Sequence, residues 1–225
     1  MSKNDGAPGG AAAPESKLSR ASVQRFSLYL RHLERWNQDG LAVVSSSQLG
    51  EVLGINDAQV RKDLANLGNL GQPGIGYHTQ ELITALRHRL GVDRDWSAIV
   101  VGAGNLARAL LRYHGFAKQG FKFVGIFDAD SKKIGQEVEG LTVQAPDKIA
   151  DAIARTGAEL AVLAVPADNA QQVADALVAA GIKGILNFAP VMLKLPAHVS
   201  LVAVDLAVQL EQLAFHVHLA KHDAI

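Results

Sequence analysis

The sequence predicts an α/β protein in two parts, a small helical part followed by a doubly wound parallel sheet, and three observations predict it. An uncharged run, Ala98-Ile99-Val100-Val101, breaks at Gly102-Ala103-Gly104 and resumes with Leu106, Leu110 and Leu111 at helical spacing. From there to Val204, apolar runs alternate with helical patterns, as in a sheet buried on both faces. Before it, residues 17–91 carry helical periodicities interrupted by one glycine-rich stretch.

A chain of 225 residues has room for one large domain or two small ones, and 48% hydrophobic with 20% charged residues suits an ordinary soluble globule. The absence of cysteine excludes disulfides, thiolate metal sites and thiol redox chemistry. The N-terminus lacks the apolar core of a signal peptide, and no uncharged apolar run has the length of a membrane span. The expectation is a cytoplasmic protein with no membrane and no metal partner. The zero net charge hides an asymmetry. Residues 17–94 hold ten Lys/Arg against seven Asp/Glu, a net of +3, and residues 95–225 eleven against thirteen, a net of −2. The N-terminal excess hints at a polyanionic partner, although a solvated helix face would look the same.

Residues 1–16, rich in Ala, Gly, Pro and Ser, predict a disordered tail. Residues 17–91 form the first domain. Val23, Phe26, Leu30 and Leu33 predict a helix capped by Ser22 and stopped before Gly40. Ser45-Ser46-Ser47 supplies the cap of a second helix with Leu49, Val52 and Leu53 inward. Asn56 and Gln59, spaced as a capping box, open a third from Asp57 to about Leu67. It buries Val60, Leu64 and Leu67 and shows Gln59, Arg61, Lys62 and Asn66 outward. Two short helices across a glycine-containing turn, the second bearing Gln, Arg and Lys, make a helix-turn-helix candidate; a plain αα-hairpin is the bland alternative. Gln pairs with adenine edges, Arg and Lys with guanine or phosphate, and Ser46 and Ser47 at a helix N-terminus suit a phosphate. Gly68 to His78 reads as a two-stranded turn with its tip near Pro73-Gly74, the place of a wing. A fourth helix runs from Thr79 to Leu90, with Leu82, Leu86 and Leu90 inward and Gly91 as its stop.

After the linker Val92–Asp95, residues 95–204 read as a Rossmann domain. In Gly102-Ala103-Gly104-Asn105-Leu106-Ala107, Gly102 permits the sharp exit from the strand, Gly104 lets a pyrophosphate approach, and Ala107 keeps helix and strand close. The helix N-terminus offers its N–H groups to phosphate. The next strand, Phe121–Phe127, ends in Asp128, 21 residues past Ala107, where an acid accepts hydrogen bonds from ribose hydroxyls. Asp130 is the fallback acid. Asp128 opposes a 2′-phosphate, while Lys132 and Lys133 leave NADP open. Further on come a short helix around Ser131–Gln136, a strand at Thr142–Gln144, and a helix from Pro146 to Arg155. Leu160–Val165 and Gly184–Phe188 are strands flanking a helix near Asp168–Ala180, and Val199–Val204 is a last strand. Val165-Pro166 and Phe188-Ala189-Pro190, at strand ends, are placed to surround a neutral nicotinamide. Residues 205–225 hold a terminal helix over Asp205–His218 with Leu206, Leu210, Leu213 and Val217 as an apolar stripe. It packs on its own sheet or on a neighbouring subunit.

A DNA reader followed by a dinucleotide fold is an uncommon order. From about Leu18 to Phe215 the chain resembles the redox-sensing transcriptional repressor Rex family. The resemblance rests on Gln59-Val60-Arg61-Lys62-Asp63-Leu64, Gly74-Ile75-Gly76-Tyr77, Val101–Leu106, Ile182–Pro190 and Val204-Asp205-Leu206. It implies a homodimer with an N-terminal winged helix, a C-terminal Rossmann domain and a last helix swapped between subunits. It implies binding of palindromic operator DNA when NAD⁺ dominates and release on NADH binding. It implies DNA contacts by Arg61 and Lys62, a phosphate contact by Arg25, a wing containing Tyr77, and Asp128 on the adenosine ribose. Tyr113 would lie near the nicotinamide, and Asp205 would pair with Arg31 or with Tyr113 across the subunit boundary. Two departures stand out. Gln72-Pro73 occupies the wing tip where members often carry Thr or Lys followed by Arg, and Ala107 replaces the third fingerprint glycine.

The rival class is a small NAD-dependent dehydrogenase with a helical N-terminal interaction domain. Against it, Tyr113 to Lys118 lacks the Tyr-x-x-x-Lys spacing, the histidines are scattered, and the region after the fingerprint is short for a substrate domain.

Overall fold

A computed structural model describes residues 18–222, with side chains to residue 220, so the expected tail at 1–16 lies outside the described residues. The chain divides into two compact units between Asp93 and Arg94.

In the first unit, α1 (Arg20–Gln38), α2 (Ser46–Leu53), α3 (Asp57–Leu64) and α4 (Thr79–Leu90) enclose one core. It is built from Phe26, Tyr29, Leu30 and Leu33 of α1, Leu49 of α2, Val60 and Leu64 of α3, and Leu82, Ile83 and Leu86 of α4. Gly50 sits where α2 abuts the start of α3; a Cβ there would lie 2.4 Å from the Ile55 carbonyl oxygen, so the tight turn demands glycine. The expected wing is present as an antiparallel pair, β2 (Gly71–Gln72) and β3 (Gly76–His78). Sequence reading missed β1 (Val43–Val44), which pairs with β3 and completes a three-stranded sheet in the order β1-β3-β2. Two residues are too few to show an alternation.

Several local expectations are corrected. The cap of α1 is Ser19, whose hydroxyl accepts from the Ser22 N–H, not Ser22 itself. Val23 and Val52, expected inward, are 40% and 49% exposed, because each stands at the margin of its apolar stripe. The capping box belongs to α2, between Ser45 and Gln48. At α3, Asn56 caps alone through the Ala58 N–H, since the Gln59 side chain is used elsewhere. Regular α3 stops at Leu64 and continues as a 3₁₀ turn over Ala65–Leu67, where Leu67 is only half-buried.

The second unit holds β4 (Trp96–Val101), α5 (Asn105–Arg112), α6 (Gly115–Lys118), β5 (Phe121–Phe127), β6 (Glu137–Val138) and β7 (Leu141–Gln144). They are followed by α7 (Ile149–Thr156), β8 (Leu160–Leu163), α8 (Ala167–Ala179), β9 (Gly184–Asn187), β10 (Ser200–Ala203) and α9 (Leu206–His222). The sheet order is β10-β9-β8-β4-β5-β7-β6, parallel except for the β6–β7 hairpin. The chain winds outward in both directions from β4 and β8, so the crevice where strand order reverses opens at their C-terminal ends. The helix expected at Ser131–Gln136 is a series of turns: the Asp130 carboxylate accepts from the Lys132 N–H, and Gly135 takes φ +86°. The segment from Pro146 begins as a 3₁₀ turn before α7.

Helix α9 bears on the first of the two expectations for it, packing on its own sheet. Leu206, Leu210 and Leu213 are 60%, 66% and 58% exposed, and Phe215 and Val217 are exposed with them. The helix therefore does not pack on its own sheet. The second exposed apolar surface lies on the sheet face that α5 and α6 leave uncovered: a cavity of about 390 Å³ floored by Leu160, Val162, Leu186 and Val202 and walled by Phe116 and Phe123.

Candidate functional site

The switch-point crevice is a cavity of about 640 Å³. Gly102 and Gly104 from the β4–α5 turn, Asp128 and Lys133 beyond β5, Pro146 before α7 and Ile149 at its start, and Val165 and Pro166 beyond β8 line it. The two glycines act differently. Gly102 takes φ +101°, and a Cβ there would lie 2.2 Å from the Ala164 carbonyl oxygen. Gly104 has no atom within 4 Å of its would-be Cβ, so the space it keeps clear is cavity. Gly104 also caps α5 with no side chain, which leaves the first-turn N–H groups of this eight-residue helix without an intrahelical partner and directed at that space. Ala107 is fully buried where α5 packs on the sheet.

Asp128 is the charged centre of the crevice. Its Oδ2 accepts from the Ala103 N–H at 2.7 Å and from Lys133 Nζ at 2.8 Å, and its Oδ1 accepts from the Asp130 N–H at 2.8 Å. Burial opposes its charge, but the Lys133 ammonium and the Asp130 and Ala103 N–H groups outweigh burial and hold the carboxyl below the usual carboxylate range. An ionised carboxylate has further lone pairs to accept from a diol. Clear space at Gly104, an uncapped helix N-terminus and a fixed acid are the groups a dinucleotide requires.

Of the expected coenzyme residues, Gly102, Gly104, Asp128, Val165 and Pro166 line this cavity. Ala103 is buried and gives its backbone N–H to Asp128, and Asn105 and Leu106 are exposed in the first turn of α5. Tyr113 lies outside it. That ring is 60% exposed at the end of α5, edge-on to Phe116 at 5.2 Å, and Phe116 is edge-on to Phe123. Asp205 caps α9 through the Ala207 and Val208 N–H groups, and Arg31 is exposed on α1. Sequence reading missed Asn169 and Gln172 of α8, which also line the crevice. Their position just beyond β8, one turn apart on α8, was the available signal.

In the first unit, Arg61 and Lys62 are exposed on α3. Arg61 is held by Asp57 one turn earlier at 2.6 Å and reaches the Ser46 hydroxyl at 3.3 Å, which places Ser46 and Arg61 on one face. Ser47 is exposed beside them in the first turn of α2. Tyr77 of β3 lays its ring over Gly71 of the wing, whose exposed tip carries Ile75. Arg25 and Gln59 are not free outward groups: both are bonded to Asp63, a carboxylate only 2% exposed, which the sequence reading left unassigned.

Among the described residues, no helix is long and apolar enough to cross a membrane, and no cluster of acids and histidines could hold a metal ion.

Comparison with known proteins gives these two units their context. Residues 17–65 match the family model "Putative DNA-binding protein N-terminus", and residues 93–191 match "CoA binding domain". The redox-sensing transcriptional repressor Rex of Pelotomaculum thermopropionicum is 44% identical over 89% of this chain and 94% of its own length. The repressor of the same name from Carboxydothermus hydrogenoformans is 44% identical over 89% of this chain and 97% of its own. The chain belongs to the Rex family. Among solved structures, RSP in complex with β-NAD⁺ and operator DNA aligns with TM-score 0.87 and 37% identity, covering 93% of this chain and 96% of RSP. RSP in complex with β-NADH aligns with TM-score 0.84 and 35% identity over 93% and 98% of the two chains.

Proposed function

We propose that this chain is a homodimeric transcriptional repressor that senses the NADH/NAD⁺ ratio, holding palindromic operator DNA when NAD⁺ dominates and releasing it on NADH binding. One observation carries the reading: a recognition helix with exposed Arg61 and Lys62 and a crevice centred on Gly104 and Asp128 occur together in a Rex-family chain. Arg61 and Lys62 contact base edges or phosphate, Ser46 and Ser47 a phosphate at the start of α2, and Tyr77 supports the wing. Asp128 accepts from the adenosine ribose hydroxyls, and the N-terminus of α5 donates to the diphosphate. Relatives crystallised with β-NAD⁺ and operator DNA, and with β-NADH, support the same ligand set.

Reduced and oxidised coenzyme differ in the charge and pucker of the nicotinamide ring, so a sensor must bind the two states with different affinity at that end. Val165 and Pro166 supply an uncharged wall there, which favours the neutral ring. Tyr113 stands at the end of α5, the exit from the fingerprint helix. Its pairing with Asp205, in competition with Arg31, is the proposed route from ligand to DNA reader.

The exposed stripe of α9 supports the homodimer. Contiguous apolar surface of this kind marks an interface, and a swapped α9 covers apolar surface of the partner that its own sheet does not use. A non-enzymatic role is supported by the repressor names of the relatives.

The test is release from a palindromic duplex titrated with NADH, with NAD⁺ and NADPH as controls and sedimentation to count protomers. Release by NADH alone supports the reading. Retention of DNA at saturating NADH refutes it, and NADH turnover with an added substrate revives the dehydrogenase.

A further inference from the structure

The buried carboxylate of Asp63 joins two elements of the DNA-binding unit. Its Oδ1 accepts from Gln59 Nε2 at 2.9 Å and from Arg25 Nη2 at 2.7 Å. Its Oδ2 accepts from Arg25 Nε at 2.5 Å and from the Tyr29 hydroxyl at 2.9 Å. Arg25 and Tyr29 belong to α1, and Gln59 and Asp63 are one turn apart on α3. A buried acid this well satisfied costs little in place, yet an apolar residue of similar size would fill the site as well. The arrangement therefore calls for a role beyond packing.

That role lies in what an ionised carboxylate does to an amide. It only accepts, so the Gln59 amide must turn its nitrogen toward Asp63 and its oxygen away. A glutamine free to flip presents either end to a base; this one does not. One N–H points at Asp63, and Oε1 with the second N–H remains for a ligand. An acceptor beside a donor is the pattern complementary to the N6 and N7 edge of adenine in the major groove. Burial works against the charge of Asp63, but the bonds from Arg25, Tyr29 and Gln59 prevail and keep it ionised.

We propose that Asp63 is a positioning residue for operator specificity, fixing the Gln59 amide in the orientation that reads adenine at one base pair of each half-site while holding the Arg25 guanidinium. This rests on the DNA-binding reading above and adds to it the base that one side chain selects. Arg61 and Lys62 supply charge and guanine or phosphate contacts; Gln59 supplies a preference only because Asp63 removes its rotational freedom.

The experiment is selection from a library of random palindromic duplexes by the full-length protein, then by Asp63→Asn, Gln59→Ala and Tyr29→Phe. Asn at 63 offers both a donor and an acceptor, so the Gln59 amide is free to turn. The expected result for Asp63→Asn is loss of an A·T preference at one position per half-site. Affinity for the selected duplex falls on the order of 10- to 100-fold, while binding to random duplex changes less than about threefold. Gln59→Ala loses the same preference at the same position, and the double variant is no worse than either single variant. Tyr29→Phe, which removes one bond to Asp63 without touching Gln59, keeps the full profile. A profile unchanged in Gln59→Ala overturns the proposal even if Asp63→Asn does not fold. An equal loss on all sequences in a folded Asp63→Asn overturns it too. If the unmodified protein selects no sequence at all, it is the repressor reading that fails.

Discussion

Adding one methyl group at Gly102 and at Gly104 should have opposite consequences, though only Ala103 separates the two in the same turn. At Gly102 the new Cβ would lie 2.2 Å from the Ala164 carbonyl oxygen and 2.7 Å from its carbon, both backbone atoms beyond β8, and the residue would keep φ +101°. Left-handed strain of about 1–3 kcal/mol adds to an overpacking cost of similar size, so Gly102→Ala should lose about 2–6 kcal/mol. In a chain of this length that lowers Tm by roughly 5–20 °C. At Gly104 the backbone is extended, and nothing lies within 4 Å of the new Cβ. Gly104→Ala should melt no lower than the parent and gain up to about 1 kcal/mol by restricting the unfolded chain. Its cost appears only with ligand, where the methyl holds the diphosphate off the N-terminus of α5. Loss of one charge-assisted hydrogen bond there weakens NADH binding roughly 10- to 100-fold. Calorimetric titration with NADH beside a thermal melt reads both effects. Gly104→Ala that binds NADH as the parent does, or Gly102→Ala that melts with it, would refute the assignment of these glycines.

Asp128→Ala should weaken NADH binding on the order of 10- to 100-fold and raise the NADPH/NADH affinity ratio, because Lys133 loses its carboxylate and faces the 2′ position alone; competitive titration measures the ratio. Tyr113→Phe should flatten the NADH dependence of DNA release while leaving each ligand's separate affinity within about threefold, a pattern that a linked titration resolves. Asp63 gives a pH prediction. Its carboxyl is depressed in the folded state, so its contribution is present above the unfolded value of 3.8 and lost as pH falls through the lower folded value. Melts between pH 6 and pH 3 should show the gap between the parent and Asp63→Asn closing at the acid end.

Much of this was legible because the signals are local. Thr79 and Gly91 bound α4 at the residues expected, Leu82 and Leu86 are buried within it, and the strand–turn–helix around Gly102 and Gly104 follows from sterics that no distant residue alters. What escaped depends on partners far along the chain. β1 is two residues long and exists because Tyr77 and His78 lie opposite it. Asp63 has no role that spacing along α3 reveals, because its partner Arg25 lies 38 positions earlier in the chain. Gln59 is misread for the same reason, since its capping-box spacing is real while its amide is drawn away by the stronger acceptor. The Ser131–Gln136 error has a local cause: Asp130 competes for the Lys132 N–H and turns the chain before a helix nucleates.

The unburied face of α9 also bears on how large a response is attainable. Moving a two-state equilibrium from 1:99 to 99:1 takes a differential affinity of about 10⁴-fold, or about 5.5 kcal/mol. A single crevice would have to find all of that in the charge and pucker of one ring. In the proposed homodimer two crevices act on one palindromic operator, and each needs only the square root, about 100-fold. That is within what one desolvated contact and one exchanged ion pair supply. A helix that exposes Leu206, Leu210, Leu213 and Phe215 is costly in a monomer, and in the proposed homodimer it would be the means by which the two sites share the work.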